Sequence, residues 1–167
     1  MLRKILPISA AMFGMAMVSS SAQAATANAT ATAEVLSPIA ITKDVDMSFG
    51  DLYADNVAIG TVALATDGTR TAGGAVTLGA TAGAAASFSL TGTASASYAI
   101  TLPSADVQLD SGANNMQVNT FVHDAGGTPA LDGTGNATLN VGATLNVGID
   151  QAPGTYTGSF DVVVNYN

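Results

Sequence analysis

The stretch GTYTGSFDVVVNYN, Gly154 to Asn167, alternates between apolar and polar residues. Successive side chains of a β-strand point to opposite faces, so the pattern predicts a strand with one buried face. The polar parity is broken only by Val163. Pro153 and Gly154 favour a turn before the strand. The inward face holds Tyr156, Phe160, Val162, Val164 and Tyr166, and together with Gly154 these are the candidate site residues of the closing segment.

The opposite end of the chain has the pattern of an export signal. Arg3 and Lys4 precede an apolar run, and Ala22-Gln23-Ala24 matches a signal-peptidase site. The run is too short for a transmembrane helix. We therefore predict a cleaved signal peptide over residues 1–24, export to the periplasm and then to the cell surface or medium, and no membrane insertion.

The charge balance restricts the partners of the mature chain. Only Lys43 and Arg70 remain against twelve acidic residues, which gives a formal net charge of 2 − 12 = −10. Nucleic acids and anionic membranes are bound by clusters of Lys and Arg, so neither is an expected partner. The chain contains no cysteine, so packing and backbone pairing must hold the fold together without disulfides.

Short alternating segments separated by Gly, Asp, Asn and Pro fill the mature chain, and no segment has sustained helical periodicity. About eight to ten strands are predicted, among them one long strand over residues 137–147 bent at Gly142. This spacing is typical of an all-β, immunoglobulin-like Greek-key sandwich over residues 36–167. We expect one core between two sheets, formed by the eight aromatic residues Phe49, Tyr53, Phe88, Tyr98, Phe121, Tyr156, Phe160 and Tyr166.

Residues 25–35, ATANATATAEV, form a further alternating segment, which we call the arm. A strand here would place small residues on one face and polar residues on the other. The residues of the small face are Ala27, Ala29, Ala31, Ala33 and Val35.

Residues that carry catalytic chemistry are scarce. His123 is the single histidine, so a Ser-His-Asp triad and ordinary zinc sites lack their members. Asp44, Asp46, Asp51 and Asp55 could supply oxygen ligands for calcium, but their spacing matches no known calcium loop and also suits a solvated acidic loop. We therefore predict no catalytic, cofactor-binding or metal-binding residues, and a protein that is not an enzyme.

Several segments together resemble the small exported pilins of chaperone–usher systems, especially the archaic branch with spore-coat-U-like subunits. The similar segments are residues 25–35, SPIAIT, MSFGDL, SYAITLP, NMQVNTFVHD and GTYTGSFDVVVNY. The chain is still more similar to a Cys-free exported bacterial family, domain of unknown function 4402. In pilins, a Gly fourteen residues from the C-terminus and a penultimate Tyr form an assembly signature, and Gly154 and Tyr166 occupy those positions.

The resemblance implies an incomplete immunoglobulin-like fold that lacks its last strand. A periplasmic chaperone would lend a strand beside the C-terminal strand, and the N-terminal extension of the next subunit would later replace it. The implied partners are further copies of the chain, this chaperone and an outer-membrane usher. The arm is then a candidate donor strand, and the function is that of a homopolymeric fibre or coat subunit for adhesion or biofilm.

Two alternatives remain open. The arm could be the first strand of a complete, self-sufficient sandwich. The protein could also be a monomeric secreted or periplasmic module whose loops, such as Asp124 to Gly135, bind a glycan or another envelope component.

Overall fold

The computed structural model describes residues 24–167, so the predicted signal peptide lies outside the described residues except for its last position. Eleven strands form between Ala40 and Tyr166. They are β1 (Ala40–Val45), β2 (Leu52–Ala54), β3 (Gly60–Leu64), β4 (Arg70–Gly74), β5 (Val76–Leu78), β6 (Ala86–Thr91), β7 (Tyr98–Thr101), β8 (Val107–Ser111), β9 (Asn114–His123), β10 (Asn136–Val147) and β11 (Val163–Tyr166). All pairings are antiparallel, and the predicted all-β, sandwich-like class is confirmed.

The main sheet has seven strands built around β10. The first half of β10 pairs with β6, and the second half pairs with β3 and β9. Strands β1, β4 and β8 extend the sheet from β6, β3 and β9. The predicted bend of β10 is confirmed, because its register with β9 shifts between Gly142 and Thr144.

The second layer is discontinuous. It consists of two separate ladders, β7 with β11 and β2 with β5. The β7–β11 ladder packs through Tyr98 and Val164 against β6 and the first half of β10, and the β2–β5 ladder packs through Val76 against β3 and the second half of β10. Each ladder therefore covers one half of the main sheet.

The core has two clusters of buried residues. The first contains Val62, Val76, Met116, Val118, Ala143, Leu145 and Val147, and the second contains Ala86, Leu90, Tyr98, Leu131, Leu139, Val141 and Val164. Met47 and Phe121 pack against both clusters. The expectation that all eight aromatics form one core is wrong for Tyr53, which is exposed on β2.

Two predicted strands differ from the structure. The closing strand spans only Val163–Tyr166, because the residues before it have a backbone partner only at Thr157. The arm, for which the pattern predicts a strand, forms no strand in the structure, and all of its residues are exposed. The alternating pattern supplied an apolar face in both segments, but a strand also needs a neighbour to receive its hydrogen bonds.

Candidate assembly groove

A groove of about 1150 Å³ separates two extended segments of the domain. The first, residues 45–54, follows β1, and we call it the front wall. The second, residues 150–160, precedes β11, and we call it the C-terminal wall. Both walls line the groove along their whole length.

The floor of the groove is made of core side chains from the main sheet. These are Ala86, Phe88, Val107, Leu109, Met116, Val118, Phe121 and Leu145. Four of them, Ala86, Met116, Val118 and Leu145, are buried members of the two core clusters. The gap in the second layer therefore opens directly onto the core.

The C-terminal wall is extended but hardly paired. Within the described residues, Thr157 is the one position between 151 and 162 with backbone-to-backbone hydrogen bonds, exchanged with Asp110 of β8 at 2.8 and 3.0 Å. The remaining N–H and C=O groups of this segment have no backbone partner. Like an edge strand, a segment in this state has free backbone groups that can pair with another chain.

Glycines bring this wall close to β8. A Cβ atom on Gly154 would overlap the hydroxyl of Ser111, and one on Gly158 would overlap the carbonyl oxygen of Gln108. Side chains at these two positions would push the wall away from β8 and break its pairing at Thr157. The glycines of the closing motif are therefore explained by close packing.

The predicted inward parity of the closing segment is confirmed. Tyr156, Phe160, Val162 and Tyr166 are half-buried, Val164 is buried, and the residues between them are exposed, including Val163. The ring of Phe160 lies 5.0 Å from that of Phe121, centroid to centroid. The hydroxyl of Tyr156 donates to the carbonyl of Ala152 at 2.7 Å, which fixes the turn at Pro153 and Gly154.

Tyr166 ties the end of the chain to the start of the domain. Its hydroxyl donates to the carbonyl of Ser37 at 2.8 Å and accepts from the N–H of Thr93 at 2.7 Å. Ser37 stands two residues beyond the arm, so the penultimate tyrosine fixes the point from which the arm leaves the domain.

Arg70 on β4 holds the front wall. Its guanidinium donates to the carbonyl oxygens of Phe49 at 2.9 Å, Asp51 at 2.8 Å and Gly79 at 2.9 Å. The side chain of Asp51 accepts from the N–H of Thr81 at 2.6 Å. That hydrogen bond is the main cause that lowers the pKa of Asp51, with a smaller contribution from the charge of Arg70.

The four acidic residues considered as calcium ligands each form a hydrogen bond or an ion pair within the chain. Asp46 pairs with Lys43, Asp44 accepts from the hydroxyl of Ser89, and Asp55 accepts from the N–H groups of Val57 and Ala58. Among residues 24–167, no group of three or more His, Cys, Asp or Glu side chains is arranged to hold a metal ion.

The loop from Asp124 to Gly135 is tied down at both of its ends. Leu131 is buried in the core and donates its N–H to the carbonyl of Ala96, while Asp124 binds both the backbone and the side chain of Asn140. Side-chain oxygens of the loop are thus engaged within the chain. Neither the groove nor the smaller cavity beside Ile59 is lined by a residue of this loop.

The sequence pattern predicted the inward face of the closing segment, but it did not predict the front wall or the hydrogen bonds by which Arg70 holds it. The only available signal was Arg70 itself, one of two basic residues between positions 24 and 167. The second predicted set, the arm residues Ala27, Ala29, Ala31, Ala33 and Val35, is fully exposed and unpaired. Between residues 24 and 167 no helix forms, and so none of sufficient length and apolarity to cross a membrane.

The comparison with known families agrees with the motifs. Residues 39–166 match the family described as Domain of unknown function (DUF4402). No curated protein and no solved structure matches the chain. Because the match covers most of the chain, from β1 through the whole C-terminal wall to the penultimate tyrosine, the protein belongs to the DUF4402 family.

Proposed function

We propose that this protein is a structural subunit of a surface fibre or coat, assembled by donor-strand exchange between identical chains. The observation that carries the proposal is the groove: a gap in the second layer, floored by core side chains and bordered by a wall whose backbone is paired only at Asp150 and Thr157. An added strand would satisfy that backbone and cover the apolar floor in one step.

The arm has the properties of such a strand. It has eleven residues, as does the C-terminal wall from Asp150 to Phe160, so the two match in length. Its small face would pack against a floor built from large side chains such as Phe88, Phe121 and Met116. Its backbone would supply the ladder hydrogen bonds that the wall lacks.

Chain direction favours insertion into a second copy. The C-terminal wall runs toward Tyr166, and Tyr166 holds Ser37, from which the arm departs. The chain's own arm would have to enter beside this wall in the parallel direction. The arm of another copy can enter antiparallel, and antiparallel pairing is the more stable arrangement. Before assembly, the same groove would accept a strand from a periplasmic chaperone, and export through an usher would follow.

The test compares two variants with the same added charge. Ala29→Asp with Ala31→Asp places two carboxylates on the inward face of the arm, and Thr30→Asp with Thr32→Asp places two on the outward face. Protein stripped from cells is run on an SDS gel without heating and after boiling. Wild type and the outward variant are expected to give a ladder that collapses to one band on boiling, and the inward variant a monomer, since a carboxylate in an apolar groove is strongly unfavourable.

Equal ladders from both variants would contradict the assignment of the arm. A single monomer band from the wild type in both lanes, with no filaments seen by electron microscopy, would refute the fibre function and leave a monomeric binding module.

A further inference from the structure

Four exposed apolar side chains lie at one end of the domain. We call the end where β10 begins, at Asn136, the upper end, and the end where β10 finishes, at Val147, the lower end. Tyr53, Val57, Ile59 and Ile149 at the lower end are 65, 77, 70 and 52% exposed. They form the lower-end patch.

The patch is held together by backbone contacts. The N–H of Asp150 donates to the carbonyl of Asp55 at 2.8 Å, so the turn that carries Ile149 lies against the loop that carries Val57. Ile59 shares a surface cavity of about 480 Å³ with Gly148, which precedes Ile149. Large apolar residues grouped in this way mark an interaction surface more often than isolated ones do.

A second exposed apolar site lies at the upper end. Leu36 is 53% exposed and precedes Ser37, which Tyr166 holds beside Thr93. The Tyr166 end of β11 pairs with Tyr98, and Thr93 follows β6, whose last residue pairs with Asn136 at the start of β10. The arm therefore leaves the domain at the end opposite to the lower-end patch.

We propose that the lower-end patch is the docking surface for a second copy of this chain, and that it receives Leu36 and the upper end of the subunit that donates its arm. This inference rests on the proposed function. An arm that pairs antiparallel with the C-terminal wall places its residue 25 near Phe160 and its residue 35 near Asp150. Leu36 of the donor then emerges beside Ile149 and Val57 of the receiver.

The contact is heterologous, because the upper end of one copy meets the lower end of the next. Repetition of such a contact does not close on itself unless the rotation happens to complete a ring, so it generates a filament. The patch thus gives each junction a second contact besides the inserted strand, and it would fix the angle between neighbouring subunits.

Cysteine cross-linking tests the contact, since the natural chain has no cysteine. Three double variants of the full-length protein combine Leu36→Cys with Val57→Cys, Ile59→Cys or Ile149→Cys. The control combines Leu36→Cys with Val122→Cys, which is 46% exposed but lies on β9 level with the middle of β10. Fibres are treated with a mild oxidant, boiled, and run with and without reductant.

A disulfide requires Cα atoms within about 7 Å. Leu36 and the patch lie at opposite ends of the twelve-residue β10, roughly 40 Å apart at about 3.3 Å per residue, so no bridge can form within one chain. At least one lower-end pair is expected to give a ladder that survives boiling and disappears with reductant, and the control pair is expected to give none.

The outcomes separate the two proposals. If heat-sensitive polymers form but no lower-end pair cross-links them, or the Val122 pair cross-links them equally well, the docking surface is overturned and strand exchange remains intact. Absence of any heat-sensitive polymer would refute the proposed function and this contact with it.

Discussion

Arg70 offers the sharpest test of how the groove is held open, because one side chain binds the front wall at two points and also binds the segment after β5. Its guanidinium donates to the carbonyls of Phe49, Asp51 and Gly79 at 2.8–2.9 Å. The bonds to Phe49 and Gly79 are partly buried, whereas the bond to Asp51 is exposed. Arg70→Met keeps much of the aliphatic stem and removes every donor.

The expected loss follows from those three bonds. A hydrogen bond to a charged group contributes about 1.5–3 kcal/mol when it is buried, and less in contact with water. Two partly buried bonds and one exposed bond therefore predict a decrease of about 2–4 kcal/mol in the free energy of unfolding. This is a large share of the roughly 5–15 kcal/mol that an ordinary domain possesses.

The matched control is Lys43→Met, which removes the other basic residue of the described chain. Lys43 makes one ion pair with Asp46, and the two side chains are 57 and 81% exposed. Such a pair contributes about 0–1 kcal/mol. Both variants change the net charge by the same amount, so a general charge effect would act on both.

Urea denaturation of the mature chain, followed by circular dichroism, measures both values. Arg70→Lys should fall between wild type and Arg70→Met, because an ammonium lacks the planar fork that reaches three carbonyls at once. If the free energies of unfolding of Arg70→Met and Lys43→Met lay within about 0.5 kcal/mol of each other, the hydrogen bonds of Arg70 would not stabilise the wall. The reasoning from its three contacts would then be refuted.

Three further predictions address other parts of the domain. Tyr166→Phe leaves the Thr93 N–H without its partner and leaves the Ser37 carbonyl with only the hydroxyl of Thr93 as donor. It should lower the free energy of unfolding by about 1–3 kcal/mol in the same assay, and an unchanged midpoint would contradict the anchoring role. Phe160→Ala should lower the free energy of unfolding by about 2 kcal/mol, roughly half of the loss for a fully buried Phe, because the ring is half-buried. A loss above about 4 kcal/mol would show that the groove closes more tightly than described. The pKa of Asp132 is lowered, first by the backbone hydrogen bond from Asn136 and then by bonds from Thr134. Its contribution to stability is therefore present above its ordinary pKa of 3.8 and lost as the pH falls through the lower folded value. Asp132→Asn should therefore be less stable than wild type at pH 7, and the difference should shrink as the pH falls below 3.8.

Much of the fold could be predicted because local pattern and burial agree. The long strand around Gly142 and the parity of the closing segment are both confirmed. Short strands without a strong apolar pattern were missed, as in β4, whose sequence RTAGG contains two glycines and a single apolar side chain. It is a strand because β3 lies beside it and receives its hydrogen bonds.

The sequence alone determined which side chains can face inward, since alternation is a property of the extended backbone and needs no partner. It determined in this way the inward face of the closing segment, from Tyr156 to Tyr166. Only the tertiary structure decided which extended segments become strands, because a strand requires a neighbour at hydrogen-bonding distance. That requirement leaves the arm and most of the C-terminal wall unpaired in the single chain, and places between the two walls a groove that opens onto the core.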